Sequence, residues 1–137
     1  MRIAFGTDDA THVTMAMLVH LRDLGHELDV VAYPEGWGAA GRLVAEAVAE
    51  DRADLGIVCC FTGTGVSIAA NKVAGVRAAL CVDAETATGA RRWNDANVMA
   101  VSLRRTTEQV GRELIDAFLA DIELDPAQAG IVVALER

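Results

Sequence analysis

The chain has 137 residues and a formal net charge of −8 at pH 7. Hydrophobic residues make up 53% of the chain, and aromatic residues make up 4% of it. This length fits one domain, residues 1–137, and the acidic charge disfavours a protein that neutralises nucleic-acid phosphates. We read no membrane span and no signal peptide, and three cysteines, two of them adjacent, do not resemble a disulfide framework. We therefore expect a cytoplasmic protein with reduced thiols, and neither nucleic acid nor a membrane as its partner.

Five short apolar runs alternate along the chain with longer segments of helical period. The runs are predicted to form strands over Ile3 to Phe5, Leu28 to Ala32, Leu55 to Cys60, Ala78 to Val82 and Val98 to Ser102. Apolar stripes with helical spacing follow the first, second and fifth runs, at Met15 to Leu24, Leu43 to Val48 and Val110 to Leu119. The alternation predicts an α/β protein with a parallel sheet covered by helices.

A thiol stands at the exit of the third predicted strand, directly before a glycine-rich turn. Gly63 and Gly65 allow the backbone to turn tightly and to approach a ligand. The segment Val66 to Val73 is predicted to be a short helix, whose first amides are unpaired and carry partial positive charge. Because a helix N-terminus lowers the pKa of a thiol from about 8.5, Cys60 is a candidate base or nucleophile.

Both adjacent cysteines can also be interpreted as small buried hydrophobes, which is the usual state of a free cysteine. Successive side chains of a strand point to opposite faces, so at most one thiol serves a pocket, and we assign Cys59 to the core. A redox pair of Cys59 and Cys60 is disfavoured, because adjacent cysteines form strained bridges and thioredoxin-type spacing is absent.

Ligands of open parallel sheets bind beyond the carboxyl ends of the strands. The loops after the predicted strands contain Asp8 and Asp9, Trp37, Cys60 to Gly65, Asp83, and Arg104 with Arg105. Asp8 has two interpretations, as a substrate-binding carboxylate and as the N-cap of the following helix. The pair Arg104 and Arg105 is expected to form either a solvated surface or an anion site.

Three stretches resemble the ribose 5-phosphate isomerase B and galactose 6-phosphate isomerase family. They are Ile3 to Ala10, Gly56 to Leu80 and Asn94 to Val98, within a resemblance that runs from Met1 to about Leu119 and leaves 122–137 as a divergent C-terminal segment. The resemblance implies a Rossmann-like three-layer αβα domain with a five-stranded parallel sheet. It also implies a homodimer or tetramer with a pocket shared between subunits. The implied activity is that of an aldose–ketose isomerase for a sugar or sugar phosphate, with no metal or other cofactor.

The same resemblance gives the glycine-rich turn a catalytic role. Cys60 aligns with the family's thiol base, which removes the proton beside the carbonyl, and Thr62 aligns with a threonine that assists the oxygen. The backbone amides from Phe61 to Val66, including those of Gly63 and Gly65, would hold the enediolate oxygen that develops.

Further positions are implied to bind substrate. Asn94 aligns with an asparagine that contacts the enediolate, and Asp8 with an aspartate that binds sugar hydroxyls near ring opening. Arg104 falls on the position of a phosphate-binding arginine supplied across the dimer.

The chain departs from the family at the phosphate and ring-opening groups. Asp9 replaces a histidine that contacts phosphate. A carboxylate at this position disfavours phosphate, because like charges about 4 Å apart repel by roughly 4 kcal/mol at an effective dielectric of 20. The C-terminal phosphate-binding arginines are replaced by Gln128 and Val132. Trp93 replaces the ring-opening histidine and, since indole accepts no proton, is expected either to form a wall for a sugar face or to pack on the partner subunit.

These departures leave two kinds of function open. The first is an isomerase that acts through a cis-enediolate on a sugar phosphate or related short hydroxy-carbonyl sugar. Examples are a tetrose phosphate, which needs no residue for ring opening, and a free sugar, which needs no phosphate-binding arginines. The second is a non-catalytic ligand-binding or structural homologue that lost ribose 5-phosphate isomerase activity.

Overall fold

A computed structural model describes residues 1–31 and 35–136 of the chain. The first half contains β1 (Arg2–Thr7), α1 (His12–Asp23), β2 (Glu27–Val31), α2 (Trp37–Ala49) and β3 (Leu55–Cys60). The second half contains α3 (Thr64–Asn71), β4 (Ala78–Leu80), α4 (Ala84–Asn94), β5 (Val98–Ser102), α5 (Glu108–Leu119), a 3₁₀ turn (Pro126–Gln128) and α6 (Ala129–Leu135).

The strands form one sheet in the order β2-β1-β3-β5-β4, and every neighbouring pair is parallel. The predicted five-stranded parallel sheet is therefore confirmed. The fourth strand ends at Leu80 rather than at the predicted Val82. The predicted end of the second strand, Ala32, lies outside the described residues.

Helices cover both faces of the sheet, which confirms the three-layer α/β architecture. On one face, Ile57 and Met99 of the sheet pack in a core with side chains of α1, α4 and α5, among them the fully buried Phe118. On the other face, Val58 and Ala100 pack with side chains of α2 and α3. The alternation of buried side chains along β3 and β5 explains why both strands read as continuous apolar runs.

The helix starts at the carboxyl edge of the sheet differ in how they are capped. Thr11, Asp83 and Thr107 accept hydrogen bonds from the first turns of α1, α4 and α5. The N-cap of α1 is thus Thr11, and the interpretation of Asp8 as the cap is wrong. The residue before α3 is Gly63, which supplies no side-chain cap, and this helix begins two residues before the predicted Val66.

Within the described ranges, none of the helices has both the length and the apolar character that crossing a membrane requires.

Candidate active site

Cys60 is the last residue of β3 and lies at the carboxyl edge of the sheet. The loop after β5 fixes the chain there, because Leu103 N donates to Cys60 O at 3.0 Å and Arg104 N donates to Phe61 O at 2.9 Å. The buried Ser102 adds a third bond, from its Oγ to Phe61 O at 3.2 Å. The backbone that carries the thiol is therefore held on the neighbouring strand.

The Cys60 side chain borders a cleft of about 390 Å³. Cys60 is 4% exposed, so the thiol is packed on most sides and open toward this cleft. The cleft is lined by Asp8, Trp37, Cys60, Phe61, Thr62, Thr64, Gly65 and Ile68. The structure thus brings five of the predicted site residues into one opening.

The other two cysteines face away from the cleft. Cys59 lies in the core on the opposite face of the sheet, as strand alternation predicts, and burial raises the pKa of its thiol far above the ordinary value. Burial, followed by the charge of Asp83, raises the pKa of Cys81 to about 12. All three cysteines are free.

The two positions in the turn require glycine for different physical reasons. Gly63 has a φ of +78°, and a Cβ there would lie 2.6 Å from Leu80 Cδ1 and 2.9 Å from Ser102 N. A Cβ on Gly65 would lie 2.7 Å from the ring of Trp37. The space left by Gly65 is therefore filled by the Trp37 indole, which forms one wall of the cleft.

The N-terminus of α3 presents backbone amides beside the thiol. Ser67 N donates to Gly63 O at 3.3 Å, so the amides of Gly63 to Val66 precede this first intrahelical bond. Thr62 Oγ1 and Thr64 Oγ1 lie 2.9 Å apart at the same end. Uncapped amides and hydroxyls at a helix N-terminus suit an oxygen that carries negative charge.

The two aspartates after β1 lie at the same edge. Asp8 lines the cleft, and its Oδ1 is buried with no hydrogen-bond partner in the described part of the chain. Asp9 is exposed and borders an adjoining groove of about 290 Å³ that Asp8 and Phe61 also line. The buried Thr7 holds the Asp9 backbone by donating from Oγ1 to Asp9 O at 2.7 Å. Both carboxylates can accept hydrogen bonds from the hydroxyls of a bound sugar.

Arg104 lies beside Phe61 of its own chain. Its guanidinium carbon is 5.7 Å from the centroid of the Phe61 ring, within the range of a cation–π contact. The Arg104 backbone is bonded to the Phe61 backbone of the same chain. The role of Arg104 as a phosphate-binding arginine supplied across the dimer stays a prediction.

Trp93 and Asn94 do not join the other site residues within the chain. They lie at the end of α4. The segment that follows contributes no described side chain to the cleft. It bonds instead to the start of β3, where Gly56 N donates to Asn97 O at 2.9 Å. A strand rises about 3.3 Å per residue, so the four steps from Gly56 to Cys60 span roughly 13 Å. Trp93 is 52% exposed and packs on Gly89 of its own helix.

Sequence reasoning placed Trp37 in a loop at the carboxyl ends of the strands without a role in the cleft, and it assigned no role to the side chains of Thr64 and Ile68, which also line the cleft. Ile68 was detectable, because it lies one helical turn after Thr64. The position of Trp37 depends on its contact with Gly65, a tertiary contact that no local pattern reveals.

Among residues 1–31 and 35–136, no three side chains of His, Cys, Asp or Glu are grouped closely enough to hold a metal ion.

Comparison with known proteins places this architecture in a family. The family model described as Ribose/Galactose Isomerase matches residues 3–130. The chain belongs to this family. The expected enzyme class, aldose–ketose isomerase, agrees with that membership.

Individual members of the ribose/galactose isomerase family are similar over most of the chain. The galactose-6-phosphate isomerase subunit LacB of Clostridium acetobutylicum is 39% identical over 87% of this chain and 72% of its own length. Ribose-5-phosphate isomerase B of Escherichia coli is 36% identical over 86% of this chain and 83% of its own length. The chain spans only 39% of the DNA damage-repair/toleration protein DRT102 of Arabidopsis thaliana, with 38% identity.

A solved structure of ribose-5-phosphate isomerase B from Clostridium thermocellum superimposes with a TM-score of 0.93 at 31% identity, and covers 99% of this chain and 95% of that chain. The family fold is therefore preserved from the first strand into the C-terminal helix.

Replacement of Gly63 by alanine tests the packing of the turn against β5. Gly75 is a matched control, since it also has a positive φ of +82° but a Cβ there would meet nothing within 4 Å. Both variants incur the left-handed backbone cost of about 1–2 kcal/mol. Gly63→Ala is expected to lose about 1–3 kcal/mol more, because its Cβ overpacks backbone atoms. Urea unfolding measures the difference, and equal losses in the two variants would contradict this packing.

Proposed function

We propose that the protein is an aldose–ketose isomerase that acts on a sugar phosphate or related short hydroxy-carbonyl sugar through a cis-enediolate, with Cys60 as the base. One observation carries the proposal: the Cys60 thiol opens into a cleft beside the uncapped amides of α3. The names of the similar proteins support the substrate class, since they include a ribose-5-phosphate isomerase and a galactose-6-phosphate isomerase subunit.

The reaction moves a proton between neighbouring carbons. The Cys60 thiolate removes the proton from the carbon beside the carbonyl, and the electron pair of that bond moves onto the carbonyl oxygen to give an enediolate. The amides of Gly63 to Val66, with Thr62, stabilise that oxygen as its charge develops. The neighbouring hydroxyl proton passes to the former carbonyl oxygen. The electron pair left on the neighbouring oxygen then re-forms a carbonyl there, as Cys60 returns its proton to the former carbonyl carbon, with no change in the overall redox state.

The charges around the cleft favour hydroxyl groups at one end of the substrate. Asp8 offers an unpartnered buried oxygen that suits a sugar hydroxyl, and Asp9 lies in the adjoining groove. None of the described residues that line these two openings is Lys or Arg, and Arg104 stands at the rim over Phe61. A phosphate, if the substrate carries one, is therefore expected at Arg104 rather than beside the aspartates.

A second copy of the chain completes the site. Trp93 and Asn94 lie at the amino ends of the strands, away from Cys60 of the same chain, and a two-fold dimer brings such separated groups together twice. Trp93 is half exposed and would supply an apolar wall or a packing surface in that dimer.

Cys60→Ala tests the role of the thiol, with Cys59→Ala as a matched control on the adjacent residue. Loss of a general base is expected to slow exchange by about 10²- to 10⁴-fold, because no other group takes the proton. Cys59→Ala removes a sulfur from the opposite core and is expected to leave the rate within a few-fold. Deuterium incorporation from D₂O, followed by NMR, measures the rate with ribose 5-phosphate, erythrose 4-phosphate and free aldoses.

Equal exchange by the wild type and Cys60→Ala would contradict the assignment of the base. Absence of exchange by the wild type with every one of these sugars would instead favour the non-catalytic homologue.

Mixing two impaired variants tests the shared site. Cys60→Ala and Asn94→Ala chains are each expected to be impaired alone, whereas a hybrid dimer keeps one site with both groups intact. Random exchange of subunits in a two-fold dimer makes about half the dimers hybrid, so roughly a quarter of the wild-type rate should return. No recovery, under conditions where native mass spectrometry detects the hybrid, would show that Asn94 does not act across the dimer.

A further inference from the structure

The C-terminal segment 125–136 bonds to the end of α4 and, at its other end, to Arg77, which precedes β4. Asp125 N donates to the carbonyl oxygen of Arg92 at 2.7 Å. At the other end of the segment, the Glu136 carboxylate pairs with the guanidinium of Arg77. Arg92 directly precedes Trp93 in the last turn of α4, and Arg77 lies in the loop before β4, so the segment forms a strap between these two places.

Arg77 joins the strap to the helix end with the fork of its side chain. Its Nε donates to Asp95 O at 2.7 Å, and its Nη2 donates to Asp95 Oδ2 at 3.1 Å, while Nη1 binds Glu136. The Arg77 side chain is 20% exposed, so these bonds are partly shielded from water. A planar guanidinium with several donors fixes direction as well as distance, which an ammonium does not.

The residue held by this fork has a backbone that needs support. Asp95 ends α4 with a φ of +49°, a left-handed conformation that is uncommon outside glycine and costs of order 1 kcal/mol or more. Arg77 holds both the carbonyl and the carboxylate of Asp95, and Asn94 is the preceding residue. Asn94 also borders the same groove, of about 420 Å³, as Arg77 and Glu136.

We propose that Arg77, held by Glu136 of the C-terminal segment, is a positioning residue that orients Asn94 toward Cys60 of the partner subunit. The inference rests on the proposed function, in which Asn94 contacts the enediolate in a shared site. It gives the C-terminal segment, whose sequence lacks the family's arginines, a role in the site through contacts with α4 rather than through contact with substrate.

A double-mutant cycle separates positioning of Asn94 from general support of the fold. Arg77→Lys keeps the charge and removes the fork, and Glu136→Gln removes the charge of its partner. Each is measured in the wild-type background and in the Asn94→Ala background, by deuterium exchange and by thermal unfolding. Arg42→Lys is the matched control, because Arg42 forms a comparable surface pair with Glu46 on α2, remote from Asn94.

In the wild-type background, Arg77→Lys is expected to lower kcat about tenfold, given that a misplacement of about 1 Å can cost about a hundredfold. In the Asn94→Ala background the same change is expected to alter kcat less than about twofold, because the group that it positions is gone. Glu136→Gln is expected to show the same non-additivity with a smaller loss of kcat. Arg42→Lys is expected to leave kcat unchanged in the wild-type background and in the Asn94→Ala background.

Equal losses in both backgrounds would overturn the positioning role and leave Arg77 as a structural residue, and so would unchanged kcat in both. Should Arg77→Lys fail to fold, Glu136→Gln carries the same cycle from a more exposed position. Absence of exchange by the wild type would overturn the proposed function itself, and the positioning role with it.

Discussion

The junction between the carboxyl ends of β3 and β5 is the constraint on which the site depends. Backbone bonds to the carbonyls of Cys60 and Phe61 hold the exit of β3 on the neighbouring strand. Gly63, in a left-handed conformation against Ser102, then turns the chain directly into α3. One compact turn therefore brings the thiol and the open helix amides together beside the backbone of Arg104, whose guanidinium lies over the Phe61 ring.

The proposed function draws on residues at both ends of the sheet. Cys60 lies at the carboxyl end of β3, and Asn94 lies where α4 returns to the amino ends of the strands. Because helices of a parallel sheet run back along it, these two residues of one chain lie apart, and the proposed dimer would bring them together. The strap formed by residues 125–136 holds the end of α4 that a second copy would present in that dimer.

The sequence predicts most of this architecture because the central strands β1, β3 and β5 are buried and read as apolar runs, whereas the edge strands β2 and β4 are partly exposed. It also predicts opposite faces for Cys59 and Cys60, since alternation along a strand is a local rule. It does not predict the place of Trp37, which depends on the space above Gly65, or the cap of α1, for which Asp8 competes with Thr11. The expectation for Arg104 came from resemblance, and its role across the dimer stays a prediction. The assignment of 1–137 to a single domain stays a prediction.

Among the three cysteines, Cys60 alone borders the candidate cleft. Native-state alkylation with iodoacetamide, read by peptide mass spectrometry with and without a sugar phosphate, tests this accessibility. We expect Cys60 to be modified while Cys59 and Cys81, which are fully buried, stay unmodified, and we expect a bound sugar to slow the reaction. Modification of all three cysteines at one rate, or an unreactive Cys60 in the folded protein, would contradict it.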